Sequence, residues 1–144
     1  MNPRKRYVLG FLFEQDLSSV VLIQKQKPAW QAFCRNGVGG EIKPDESELE
    51  AMVREFNEEA GVIIDRDKWT LFCEMGGRGW VVYCFACRDS AAVLRVRTMT
   101  EEQIFVTNSK TFDGEPYIAN LEWLVPLAKN HLSSPIEATV SYLS

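Results

Sequence analysis

Apolar residues recur along this chain at two different periods. Leu49, Met52, Val53, Phe56 and Ala60 stand three or four positions apart, which is the spacing of one helix face. Pro44 cannot continue a preceding helix, and Asp45 or Ser47 can cap a following one. Ser47 with Glu50, three residues on, has the form of a capping box, and Gly61 stands where a left-handed residue closes a helix. These signals predict a helix over about 47–60.

Shorter apolar runs read as strands: Tyr7 to Phe13, Ser19 to Gln24, Trp69 to Glu74 and Trp80 to Cys87. Glu14 to Leu17 forms a polar turn within the first pair, and Met75 to Gly79 joins the second. Val93 to Arg97 and Leu121 to Val125 are expected as further strands, and Pro126 to Leu132 as a short helix with proline in its first turn. Lys25 to Ala32 is a loop around Pro28 that carries Trp30, Thr98 to Gln103 is a polar loop, and Asp113 to Pro116 is a turn. Strands before, between and after one long helix, with short connections, predict an α+β layered fold. The 144 residues are expected to form one domain, 1–144.

Composition is ordinary for a globular protein, with 46% apolar and 25% charged residues. The net charge of −4 argues against bulk nucleic-acid binding, which wants a basic face. No apolar run is long enough to span a membrane, and Glu14 interrupts the N-terminal stretch before a signal-like core forms, so a cytoplasmic location is expected. Cys84 and Cys87 form a lone CxxC whose odd spacing on a strand sends the two to opposite faces. With no second pair to complete a zinc site, Cys34, Cys73, Cys84 and Cys87 are expected as free, mostly buried thiols.

The charge is unevenly spread. Between Glu41 and Glu59 stand eight acidic residues against only Lys43 and Arg54. Glu55, Glu58 and Glu59 share one helix face in its last two turns, where the helix dipole disfavours carboxylates and like charges repel. A solvated acidic face would explain any run of glutamate, but a hard divalent cation with oxygen ligands would turn that repulsion into binding. Just upstream, Asn36-Gly37-Val38-Gly39-Gly40 places three glycines in five residues, which suits either a tight turn or close approach of backbone to a ligand.

The flanking pattern decides between these. Gly40, five residues, Glu46, seven residues, then Arg54-Glu55-Phe56-Asn57-Glu58-Glu59-Ala60-Gly61-Val62 resembles the Nudix box at every fixed position. The resemblance implies the Nudix fold, a mixed β-sheet sandwiched between α-helices. It also implies hydrolysis of a nucleoside diphosphate linked to another group, using water and Mg²⁺, for which Mn²⁺ can substitute. On the same basis Glu55, Glu58 and Glu59 are the expected metal ligands, joined by a backbone carbonyl of Gly39 or Gly40. Arg54 is expected to brace Glu46 rather than to pair with Glu50 one turn away. Glu55 and Glu58 are candidates for the general base. Glu102 is the best later-loop candidate, with Glu101 next and Glu115 the outsider.

Marks of other Nudix subfamilies are missing. No proline stands between Pro44 and Pro116, where ADP-ribose enzymes carry one, and Gly79 and Trp80 occupy the place of a diadenosine-polyphosphate tyrosine. The signature of NADH pyrophosphatases is missing too. The MutT-like group remains, and the Asn36–Gly40 segment resembles its purine triphosphate enzymes. Asn36 is then expected to read the base, with Trp123 and Trp30 as stacking candidates. The expected substrate is a purine (d)NTP, oxidised forms included, cleaved to monophosphate and pyrophosphate. The alternatives are a dinucleotide or nucleotide-sugar hydrolase, and a non-catalytic nucleotide-binding module. The expected partner is a small nucleotide, for a monomer or homodimer.

Overall fold

The computed structural model of the protein describes residues 4–143. Its strands are β1 (Lys5–Phe13), β2 (Ser19–Gln24), β3 (Arg35–Asn36), β4 (Val38–Glu41), β5 (Thr70–Gly77), β6 (Trp80–Arg88), β7 (Ile104–Asn108) and β8 (Ala138–Ser141). Three α-helices join them: α1 (Glu48–Ala60), α2 (Ser90–Val93) and α3 (Leu121–Ser133). The strands form one sheet in the order β3-β2-β1-β6-β5-β8, with β4 also on β1 and β7 also on β2. β1 runs parallel to β6 over nine paired residues and β5 parallel to β8, while the remaining pairs are antiparallel. The sheet is therefore mixed.

Alternation along β1 explains the layers. Val8 and Leu12 face α1, where Ala51, Met52, Phe56 and Ala60 meet Trp69 and Phe85. Leu9, Phe11 and Phe13 face the other way, toward Leu121, Leu124, Val125 and Ala128 of α3. Each fully buried side chain such as Phe56 or Leu124 contributes about 1.5–3 kcal/mol. Gly10 interrupts β1 beneath α1: a Cβ there would stand 2.5 Å from Met52 Cε, so its absence lets the helix settle against the sheet.

α1 begins and ends as its sequence dictates. Ser47 Oγ accepts from Glu50 N at 3.1 Å and Glu50 Oε1 accepts from Ser47 N at 2.9 Å, while Gly61 takes φ 74°. Such an N-cap is worth about 1 kcal/mol.

Two expected strands are not strands. Leu121 to Val125 opens α3, which continues through Pro126 to Ser133 as one helix. The five-residue run LEWLV is too short to separate the two periods, and Leu121, Leu124, Val125 and Ala128 in fact follow the helical one. Pro126 lies on the exposed side of that helix rather than at its start. Val93 to Arg97 is not a strand either: Ser90–Val93 is a helical turn whose cap, Asp89, accepts from Ala92 N at 3.1 Å. β7 and β8 lie where the sequence predicts no strand, β7 just after the polar loop of Thr98 to Gln103. Cys84 and Cys87 do face opposite cores, and all four cysteines are free.

Candidate active site

α1 and β4 meet where β4 carries no side chain, at Gly39 and Gly40. Gly39 and Gly40 pair with Leu9 and Val8 of β1, and Gly40 lies against the Glu55 carboxylate. Glu55 is 9% exposed, Glu59 is half-buried, and Glu58 stands at the surface. Burial pushes the Glu55 carboxyl above its ordinary range, against the pull of Arg54. Burial also pushes Glu59 up, reinforced by the charges of Glu102 and Glu55.

Arg54 is the hub of this face. Its Nη2 donates to Glu46 Oε1 at 2.6 Å and to Glu41 O at 3.0 Å, and its Nε donates to Glu46 Oε2 at 3.0 Å. Its Nη1 donates to Glu55 Oε1 at 2.9 Å and Glu58 Oε2 at 3.1 Å. The guanidinium bond holds Glu46 below its ordinary range. Glu50 is occupied in the capping box, so the brace runs to Glu46 across the loop.

Three carboxylates on one helix face, one of them against the backbone of Gly40, are oxygen donors of the kind a hard divalent cation takes. Positive charge is already drawn between Glu55 and Glu58, where Arg54 Nη1 sits. Among the described residues no three His, Cys, Asp or Glu side chains converge as a ready cage. In the chemistry of its donors the glutamate face fits such an ion.

The loop after α2 reaches the same face. Thr100 Oγ1 donates to Glu59 Oε2 at 3.4 Å. Glu102 is buried and committed: it accepts from Lys25 Nζ at 3.1 Å, Gln26 N at 2.6 Å and Lys27 N at 3.4 Å. Burial raises its carboxyl, but the Gln26 N–H and Lys25 outweigh that and hold it low. Glu101 is exposed, 3.7 Å from Lys27 Nζ, and Glu115 is exposed on the turn after Phe112.

A cleft of about 560 Å³ opens beside Gly39 and Gly40. Asn36, Trp30 and Lys25 line it, facing Met75, Trp80 and Val82 of the β5–β6 hairpin. Trp30 is 71% exposed at the end of a loop that contains the cis Lys27–Pro28 bond. Asn36 is partly spent within the protein: its Nδ2 donates to Gln31 Oε1 at 3.1 Å and its Oδ1 accepts from Gly37 N at 2.8 Å. Trp123 is not part of the lining. It stands on α3, half-buried against the core, because the segment expected as a strand is a helix.

In its place the cleft receives Ile118 and Asn120. Asn120 Oδ1 is buried without a hydrogen-bond partner, while its Nδ2 approaches Met75 Sδ at 3.8 Å. The sequence held one clue to it. Asparagine immediately before an apolar helical run marks a helix start, and the structure adds that this side chain is not spent on the cap. Reading Leu121 as a strand hid the clue.

A family model described as the NUDIX domain matches residues 3–124. No curated protein matches at a significant level. Among solved structures, a NUDIX hydrolase from Nitrosomonas europaea has TM-score 0.78 at 13% identity, covering 100% of this chain and 81% of that one. A MutT protein from Bacillus halodurans has TM-score 0.70 at 20% identity, covering 96% and 90%. An ADP-ribose pyrophosphatase from Streptococcus suis has TM-score 0.70 at 17% identity, covering 94% and 98%. At these identities the structures speak for the fold alone. The family model spans most of the chain and ends on α3, so it takes in the glutamate face, the glycine strand and the cleft together: the chain belongs to the Nudix hydrolases.

Proposed function

We propose that this Nudix hydrolase is a divalent-metal-dependent pyrophosphohydrolase of purine (d)NTPs, oxidised forms included, releasing the monophosphate and pyrophosphate. The observation that carries the reading is the unpartnered Asn120 Oδ1, buried in the wall of a cleft that opens on Gly39 and Gly40. A buried amide acceptor without a donor costs about 1–3 kcal/mol, and a turn of the Asn120 side chain into the cleft would let a purine ring or exocyclic N–H supply the missing partner. Asn36 has one N–H and one lone pair left for the same base, with Trp30 available to stack.

Glu55, Glu58 and Glu59 would hold the cation, Mg²⁺ by preference, with Gly39 and Gly40 contributing carbonyls. When bound, such an ion polarises phosphoryl oxygens and acidifies water. Glu58 is the general base we favour: it is the exposed carboxylate of the three, held by one contact to Arg54. Glu55 is the second candidate. Glu102, its lone pairs committed to Lys25 and two backbone N–H groups, is too weak a base and instead fixes the loop behind Glu59. Arg54, anchored on Glu46, orients the Glu55 and Glu58 carboxylates. Residues 1–144 act as one domain in this reading, because both cores share one sheet.

A second reading, an ADP-ribose or nucleotide-sugar hydrolase, draws on the cleft volume, which exceeds the need of one base, and on Trp80 as a second ring facing it. A Mg²⁺-dependent hydrolysis screen with product identification separates the two. Monophosphate and pyrophosphate from purine (d)NTPs are expected, and a clear preference for ADP-ribose would overturn the first reading.

A further inference from the structure

Cys73 of β5 and Cys84 of β6 stand directly opposite each other, both fully buried in the core on the α3 side of the sheet. Their meeting depends on an irregularity. The β5–β6 register shifts between Leu71 and Cys73, so that Phe72 and Cys73 both face the same core. Two consecutive residues on one face is what a bulge produces, and this one turns Cys73 onto Cys84. Directly opposed residues of an antiparallel pair have Cα atoms about 4.5–5.5 Å apart, inside the ~4.4–6.8 Å that a disulfide spans. The next pair along the same face, Met75 and Val82, lines the cleft.

We propose that Cys73 and Cys84 are an oxidisable pair that closes to an intramolecular disulfide beneath the cleft, with a peroxide as oxidant. The Cys73 sulfur attacks one peroxide oxygen and the O–O bond breaks. One oxygen stays on sulfur as a sulfenic acid, and the other leaves as water with the thiol proton. The Cys84 sulfur then attacks the Cys73 sulfur. The S–O bond breaks, the S–S bond forms, and the departing hydroxide takes the Cys84 proton as a second water. Two thiols have lost two electrons, and one hydrogen peroxide has become two waters. The order follows from the pairing of the two thiols: Cys84 beside it holds Cys73 below the ordinary range, while Cys73 and burial push Cys84 up.

The other two cysteines lack such a partner. Cys87 faces the α1 core, where burial pushes it up to about 12. Cys34 is half-buried in the loop before β3. Burial slows oxidation at Cys73, and proximity to Cys84 decides its product.

The test uses the folded full-length chain carrying Cys34→Ser, which removes the more accessible thiol. After hydrogen peroxide the protein is alkylated in denaturant and digested without reduction. The expected result is a loss of about 2 Da, a single cross-linked peptide pair joining Cys73 to Cys84, an alkylated Cys87, and reversal by dithiothreitol. Adding Cys73→Ala or Cys84→Ala is expected to abolish the cross-link. The proposal is overturned if the Cys34→Ser protein stays uncross-linked at exposures that oxidise its methionines. It is equally overturned if the cross-link joins Cys87, or survives Cys73→Ala.

Discussion

Gly40 lies so close to Glu55 that a Cβ on it would stand 2.5 Å from the carboxyl carbon and from one of its oxygens. Its neighbour Gly39 is hemmed in by backbone, since a Cβ there would stand 1.9 Å from Val8 O. The two glycines are therefore required for different reasons. Gly40→Ala meets the tip of a flexible side chain, so the fold should survive while the carboxylate is displaced and turnover falls at least about tenfold. Gly39→Ala meets the main chain of β1 and should cost roughly 2–4 kcal/mol of stability. Steady-state turnover and urea unfolding of both variants check the contrast.

Arg54 and Glu46 should show strong energetic coupling. Both are largely shielded, and three Arg54–Glu46 contacts lie at 2.6, 3.0 and 3.2 Å. A double-mutant cycle with Arg54→Lys and Glu46→Gln should give a coupling of about 1–2 kcal/mol, because lysine cannot reproduce the fork. The cycle with Glu50→Ala should give a coupling near zero, with the single variant losing about 1 kcal/mol through the cap.

Glu102 and Glu59 should act oppositely on stability as pH changes. Glu102 is held below its ordinary value of 4.5, so the unfolded chain binds its proton more tightly. Its contribution is present above about 4.5 and is lost as pH falls through the lower folded value. Glu102→Gln should reduce stability at pH 7 and flatten the acid limb. Glu59 is raised, so the folded chain binds its proton more tightly, and stability declines as pH climbs above about 4.5 through the folded value. Glu59→Gln should raise the urea midpoint of the metal-free protein at pH 7. Urea titrations between about pH 2.5 and 7 read both effects.

Asn120 and Trp123 should separate recognition from packing. Asn120→Leu removes the free acceptor in the cleft wall and should raise KM for a purine nucleotide about tenfold or more, with kcat little changed. Trp123→Ala should lower stability by about 1–3 kcal/mol and leave KM alone, since its ring packs on the core. Kinetics and unfolding of the pair decide the matter.

The glutamate helix was legible in the sequence because every local signal agreed: Ser47 with Glu50, the apolar stripe through Met52 and Phe56, and Gly61. The Arg54–Glu46 contact was legible only through the family pattern, because residues eight apart in sequence do not announce their meeting. α3 was misread because a five-residue apolar run carries either period, and Pro126 looked like a start when it is merely tolerated on an exposed face. β7 was missed because its side chains are mostly half-exposed or exposed, so the sequence offers little apolar alternation. Asn120 became visible only once the segments on both sides of the cleft were in place.

Glu58 and Glu59, as proposed, serve a metal-dependent attack of water on a nucleotide. The most direct test is Mg²⁺-dependent turnover of dGTP by Glu58→Gln and Glu59→Gln, with circular dichroism confirming that each is folded. At least about a hundredfold loss is expected in both, against wild-type release of dGMP and pyrophosphate. Near-wild-type rates in both variants would contradict it.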